Sequence, residues 1–453
     1  TMAQVYFLQG RTQTPVVFDY FFRKLPFKGG YVVSCGQEVL LDALDKFYFN
    51  DEDLKFLASN GFHREFLEYL KGFKFRGTLY SVLEGMLVFP NCPILIAEGN
   101  LIECQIAETI ILNILNFQSL IATKASRMRQ VAKEKTLIDF GVRRAQGPAS
   151  YYATRAATIG GFNATSHVKA AMDFGIPASG TMAHSFIQSM PDELSAFRAY
   201  AQAQQEKCVL LVDTYDTLRS GVPNAIKIGK ELENAGHRLL AIRLDSGDLA
   251  YLAKESRTML DKAGLAYVQI AASNQLDEYV IKSLEEQKAP IDIYGVGTNL
   301  VTGAPDGALD GVYKMSEING NATIKMSENI TKTTLPGRKK VYRTLNENSD
   351  MGGVDAVVLN SEEEVKKIFH PTDPYKSMQL DKYRLIPLLQ PIMQEGKNVL
   401  QREKIFEIST FSQKQLESLP AEYKRFENPH QYKVGISNSL MELRNSLIRN
   451  HPR

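Results

Sequence analysis

The chain reads as an α/β protein: an irregular or incomplete TIM-like (β/α) barrel, preceded by an N-terminal α+β domain and followed by a C-terminal extension that packs on that domain. Three observations carry this expectation. Short apolar runs alternate with stretches of helical period between about residues 136 and 297. Several of these runs end in polar turns bearing Asp, Gly or Thr, as strand ends facing a site do. The flanking segments lack the alternation. At 453 residues the chain also exceeds one ordinary core, so the expected division is 1–125, 126–310 and 311–453.

In the first segment, residues 16–22 and 31–35 read as strands and 51–71 as amphipathic helix. In the second, strands are expected at 137–140, 161–164, 176–180, 207–213, 238–245, 266–272 and 291–297, with helices between them. The helix at 249–263 carries Leu252, Met259 and Leu260 on one side and stops at Gly264, a suitable residue to follow a helix end. Asp248 precedes it and reads as an N-cap rather than a catalytic group. Seven such units favour an incomplete barrel over an open doubly wound sheet, although periodicity leaves closure undecided. In the third segment, 312–318 and 322–326 flank the hairpin turn Asn319-Gly320-Asn321, and 437–449 is helical.

Bulk properties narrow the function. A net charge of +2 with mixed signs offers neither a basic field for nucleic acid nor an acidic tail, so small-molecule chemistry is expected. The most apolar stretch, 106–115, contains Glu108 and falls short of the ~20 residues a membrane span needs. No membrane association is expected, and without a secretory pattern at the start the expected location is the cytoplasm. Cys35, Cys92, Cys104 and Cys208 form no C-x-x-C pair and read as buried thiols. No protein metal site is expected. A hard cation brought by the substrate fits better.

Candidate chemistry collects at the strand ends. His184, in GTMAHS after an apolar run, reads as a reactive imidazole at a strand-to-loop junction. Asp213 and Asp245 each close an apolar run; either one can orient that ring, or simply cap its loop. Arg143 and Arg144 form a double charge suited to a diphosphate, or an ion pair on a solvated loop. Arg243 needs an anionic partner, Asp245 or a substrate carboxylate. Gly295 and Gly297 with Thr298 suit a phosphate, or a tight turn. Serine-elbow, Walker-loop and Schiff-base-lysine patterns are absent.

These motifs resemble the nicotinate phosphoribosyltransferase family. The similar segments, in order, are FDYFFRKLPF (18–27), IDFGVRRAQGP (138–148), GGFNATS (160–166), GTMAHSF (180–186), LVDTYDT (211–217), RLDSGD (243–248) and GVGT (295–298). The resemblance implies transfer of a phosphoribosyl group from phosphoribosyl diphosphate to nicotinate, with ATP hydrolysis coupled through a phosphohistidine and Mg²⁺ accompanying the diphosphate or ATP. It implies that His184 is the phosphorylated residue, with Asp213 and Asp245 around it. Phe140 then stacks on the pyridine, Thr181 and Arg243 contact nicotinate, and Arg143 and Thr298 handle the donor. A homodimer with shared active sites is implied too. Arg23 of FFRK either reaches phosphate across that interface or is a surface arginine.

Charge adds a specificity expectation. The sister family acting on nicotinamide carries an aspartate where this chain has Ser166, and a carboxylate there would repel nicotinate. One family feature falls outside the sequence, a ring-stacking tyrosine upstream of a Thr-Met pair like Thr1-Met2. The competing readings are a quinolinate-type phosphoribosyltransferase, without an ATP step, and a barrel that binds a phosphorylated ligand as a sensor.

Overall fold

The computed structural model describes residues 1–326, 333–373 and 375–450. The chain divides into two compact units, one of residues 1–123 with 308–453 and the other of residues 124–307.

The second unit is α/β, with six parallel strands: Thr136–Asp139, Ala164–Thr165, Val209–Leu211, Ala241–Leu244, Gln269–Ser273 and Ile293–Val296. In space the order runs Ala164–Thr165, Thr136–Asp139, Ile293–Val296, Gln269–Ser273, Ala241–Leu244, Val209–Leu211. The first strand of the unit therefore pairs with its last, from Thr136↔Ile293 to Asp139↔Val296. Buried residues such as Leu137, Leu210, Ile242, Leu244, Ile270 and Tyr294 make these strands nearly continuously apolar, as parallel strands covered on both faces must be.

The strand expected at 176–180 is reduced to a single bridge, Thr165↔Ala178. Pro177 explains much of this: its carbonyl accepts from the Thr165 amide at 3.1 Å, but it has no N–H to return. The strands expected at 207–213 and 238–245 shorten to Val209–Leu211 and Ala241–Leu244, leaving Asp213 and Asp245 just past them, and the one expected at 161–164 is only Ala164–Thr165. Three of the helices between the strands start at aspartate caps. Asp192 accepts from Ser195 N (2.8 Å), Asp277 from Val280 N (2.8 Å) and Asp248 from Tyr251 N (3.1 Å), the capping role read from the sequence. Gly264, at φ +71°, follows the helix Leu249–Lys262.

The first unit holds a seven-stranded antiparallel sheet in which Pro15–Phe22 lies between Gly311–Ile318 and Leu95–Asn100. The N- and C-terminal segments thus share one sheet. A six-stranded sheet follows, centred on Met351–Leu359 between Lys339–Leu345 and Lys433–Ser437. Asn319 and Gly320, both at positive φ, make the hairpin turn. The strand after it is only Asn321–Ala322, and the region 51–71 splits into helices Asp51–Ser59 and Arg64–Lys71.

The apolar stretch at 106–115 belongs to a much longer helix, Leu101–Ala132, of 32 residues. No glycine or proline interrupts it. By length and composition this helix is able to cross a membrane, which corrects the shorter span read from the sequence; half of its most apolar window is buried inside the protein. Leu101, Cys104, Ile111 and Leu115 join Phe18, Tyr20 and Leu95 in the core of the first unit.

Candidate functional site

Parallel strands place all their carboxyl ends on one edge of the sheet, and this geometry gathers the candidate residues of the second unit. Phe140 follows Asp139, Ser166 follows Thr165, Asp213 lies two residues past Leu211, Asp245 follows Leu244, and Gly297 follows Val296. His184 arrives differently. It opens the short helix His184–Gln188 after an irregular segment, rather than ending a strand.

Among the described residues, the imidazole has two polar partners. Its Nδ1 lies 3.0 Å from Thr214 Oγ1, and its Nε2 lies 3.8 Å from Asp245 Oδ2. The second distance is a charge contact and too long for a hydrogen bond. Of the two aspartates, Asp245 faces the ring. Asp213 instead braces the Asp245 turn, its Oδ2 accepting from Asp245 N at 2.8 Å and Ser246 Oγ at 2.6 Å. The other oxygen of Asp213, Oδ1, is buried without a hydrogen-bond partner. Ser273 Oγ donates to Asp245 Oδ1. With the ring 41% and Asp245 31% exposed, this cluster is open to a ligand.

Arg243 sits inside the strand Ala241–Leu244, one residue short of its end. Burial pushes its pKa down, opposed by Asp245 and Asp213 and reinforced by Arg143, so all four charges share one field. Its Nη1 donates to Thr181 Oγ1, and its guanidinium carbon stands 5.9 Å from the centre of the Phe140 ring. Its Nε is buried and unpartnered. A buried guanidinium with a donor to spare, next to an aromatic face, suits a flat aromatic acid.

Phe140 is held from behind by Gly295. A Cβ on residue 295 would lie 2.3 Å from Phe140 Cε2, so glycine is required there for the ring to fit. Gly295 itself is paired within the sheet, opposite Ser273 and Ile138. Gly297 precedes the four-residue helix that Thr298 opens. Ser166 gives its hydroxyl to the Asp139 carbonyl at 3.0 Å. Arg144 is exposed, its amide closing a turn onto Gly141 O at 2.8 Å.

Arg23 belongs to the other unit, where its guanidinium lies 5.5 Å from the Phe21 ring centre and lines a cleft with Lys24, Lys28, His370, Lys376, Lys433 and Arg444. Sequence reasoning gave no role to Thr214, Ser273 or Asp139. Thr214 stands within the quoted LVDTYDT segment, and Ser273 lies one residue past the strand read at 266–272.

Family models match nearly the whole chain: the nicotinate phosphoribosyltransferase N-terminal domain at 1–116, the family model at 136–352 and the C-terminal domain at 338–444. The nicotinate phosphoribosyltransferase of Bacillus subtilis is 44% identical over 96% of this chain and 91% of that protein. This chain belongs to the nicotinate phosphoribosyltransferase family. The human family member is 31% identical over 99% of this chain and 95% of its own. The crystal structure of human nicotinic acid phosphoribosyltransferase superposes with a TM-score of 0.88 at 30% identity, covering 98% of each chain. A nicotinate-nucleotide pyrophosphorylase from Pyrococcus furiosus superposes at 0.72 with 25% identity, over 92% of this chain and 93% of that one. Family membership makes the chain an enzyme of phosphoribosyl transfer to nicotinate, a step of NAD biosynthesis.

Proposed function

We propose that this chain forms nicotinate mononucleotide and diphosphate from nicotinate and phosphoribosyl diphosphate, with ATP hydrolysis coupled through phosphorylation of His184. The observation that carries the proposal is the half-exposed imidazole between Thr214 and Asp245, beside the Arg243–Phe140 pair. Nicotinate's ring stacks on Phe140 while its carboxylate meets Arg243, with Thr181 at the same guanidinium. Arg143, Arg144, Gly297 and Thr298 receive the donor, whereas Gly295, first read as a donor-binding glycine, serves nicotinate by seating Phe140.

A transition state with positive charge at the ribose needs its departing diphosphate neutralised, which cationic side chains do without a covalent nucleophile. Mg²⁺ travelling with the phosphates would add to that neutralisation. The residues fit such a role: among the described residues no group of three or more His, Cys, Asp or Glu holds a metal by itself, while the partnerless Asp213 Oδ1 is an available oxygen. Phosphate on His184 would place fixed negative charge beside Arg243 and Arg143, giving ATP hydrolysis a route to substrate affinity.

The same reading covers the architecture and assembly. Pairing of the first strand of the second unit with its last supports an irregular barrel. The lysine- and arginine-rich cleft around Arg23 supports a phosphate-binding half-site offered to a second subunit of a homodimer. A cytoplasmic location completes it.

The deciding experiment is a product assay with nicotinate, nicotinamide and quinolinate, each with and without ATP, on the unmodified protein and on His184→Ala. Nicotinate preference, ATP stimulation and a labelled phosphoenzyme should all appear, the last two disappearing in the variant. Full ATP coupling in His184→Ala sinks the phosphohistidine. Preference for the amide sinks the assignment of Ser166.

A further inference from the structure

Asp139 is the most deeply buried acid beside the candidate site, 1% exposed at the end of the strand Thr136–Asp139. Its carboxylate accepts three hydrogen bonds. Oδ1 takes the Gly141 amide at 2.7 Å, while Oδ2 takes the hydroxyls of Thr154 at 2.6 Å and Thr165 at 3.0 Å. These donors come from three pieces of chain: the loop after the first strand, the helix Pro148–Ile159, and the strand Ala164–Thr165. The carbonyl of Asp139 adds a fourth tie, accepting both the amide (2.8 Å) and the hydroxyl (3.0 Å) of Ser166.

The tied loops are the ones that carry ligand-facing groups. Phe140 lies between Asp139 and Gly141, Arg143 follows two residues later, and Ser166 closes the neighbouring strand. Gly141 is packed so tightly that a Cβ would lie 2.2 Å from Val301, so its amide is held against the carboxylate. Burial raises the Asp139 pKa, only partly countered by Thr154, Gly141, Thr165 and His167. A carboxylate is an unusual choice where an amide would cost less to bury. What it offers is two oxygens that collect three donors from three segments.

We propose that Asp139 is a positioning residue for phosphoribosyl transfer: its carboxylate, through Gly141, Thr154 and Thr165, fixes the loop that presents Phe140 to nicotinate and Arg143 to the donor. Asp139 touches neither substrate. The proposal rests on the roles given above to Phe140 and Arg143.

The test compares Asp139→Ala, Asp139→Asn, Thr165→Val and Phe140→Ala, measuring KM for nicotinate and phosphoribosyl diphosphate, kcat per folded molecule, the pH profile and thermal unfolding. Asp139→Ala should raise both KM values, by about tenfold to a hundredfold, as a reacting group displaced by an ångström does. Asp139→Asn keeps an acceptor for Gly141 and offers an N–H₂ to the threonine hydroxyls, so both KM values should return to within about threefold with an unchanged pH profile. If Asp139→Ala does not fold, Thr165→Val decides. Losing one of three donors should raise nicotinate KM roughly threefold to tenfold.

Two results overturn the proposal. One is a folded Asp139→Ala, or Thr165→Val in its place, with both KM values unchanged. The other is a folded Asp139→Asn that is inactive or shifted in pH, which would assign the carboxylate to proton chemistry. Phe140→Ala keeps the two ideas separate: an unchanged nicotinate KM there removes the stacking role, and Asp139 is then judged on the donor KM through Arg143.

Discussion

The ring of Phe140 occupies the space in which a side chain at position 295 would begin, 2.3 Å from where a Cβ of Gly295 would lie. Phe140 directly follows the first strand of the parallel sheet and Gly295 lies in the last, and these two strands pair side by side. A methyl at 295 must therefore move the ring. Such overpacking costs about 1–3 kcal/mol, and here it falls on a face assigned to the pyridine. Gly295→Ala should raise the KM for nicotinate roughly tenfold, with little change in that for phosphoribosyl diphosphate. Steady-state kinetics with each substrate varied decides it. Equal increases in both would mean that the strand, not the ring, has shifted.

Thr214 shares a close hydrogen bond with the His184 ring, at 3.0 Å, while Asp245 stands 3.8 Å from the other nitrogen. Thr214→Val keeps the shape and removes that bond, at a cost of about 1 kcal/mol. Loss of ring orientation should lower the yield of labelled phosphoenzyme several-fold and reduce ATP stimulation, leaving the ATP-independent rate close to normal. Labelling with γ-phosphate-tagged ATP measures it. A phosphoenzyme yield equal to that of the unmodified protein would remove Thr214 from the assembly.

These two relationships mark how far the sequence could be read. The α/β class followed from period, and Asp213 and Asp245 were placed at their strand ends from the turns, because parallel strands must present their ends together; His184 was not, since it opens a short helix instead. Pairwise contacts did not follow. Asp213 and Asp245 look alike in sequence, each ending an apolar run, yet one braces the backbone of the other and only the second faces His184. That difference depends on loop conformation, which spacing does not encode. Gly295 looked like a phosphate-binding glycine because the G-x-G pattern does not reveal what lies on its Cα. The helix Leu101–Ala132 was under-read because Glu103, Glu108 and Lys124 break its apolar pattern. Lys124 is in fact buried against Glu278, 2.6 Å away.

The buried thiols give a pH prediction. Burial pushes Cys104 and Cys208 up to about 12, and Cys92 is raised well above its ordinary value for the same reason. Reaction with alkylating reagents requires the thiolate. Native protein at pH 8 should therefore resist iodoacetamide, while unfolded protein reacts at all four cysteines. The sign for stability follows from the same shift. The folded state holds these protons more tightly than the unfolded one, so their contribution is complete below about pH 8.5 and is lost as pH rises toward 12. Mass-resolved labelling against pH checks both. Rapid labelling of folded protein at pH 8 would count against burial of these thiols.

Arg343 and Asp355 form a forked pair in the C-terminal part of the chain, with Nε and Nη2 donating at 2.9 and 2.8 Å and each residue 1% exposed. The satisfaction is nearly complete: Arg343 also donates to the Leu87 carbonyl at 2.7 Å, and Tyr432 donates to Asp355 at 3.1 Å. Removing one partner leaves the other charge in an apolar setting, beside the stacked Phe89 and Tyr432 rings. Asp355→Ala should therefore destabilise the protein by about 3–5 kcal/mol. Replacing both, Arg343→Met with Asp355→Leu, removes the stranded charge and should cost clearly less than the two single changes added together. Urea unfolding of the three variants measures the coupling. Strictly additive losses would show that the pair acts as two independent side chains, and the forked geometry would then contribute nothing to holding Lys339–Leu345 against Met351–Leu359.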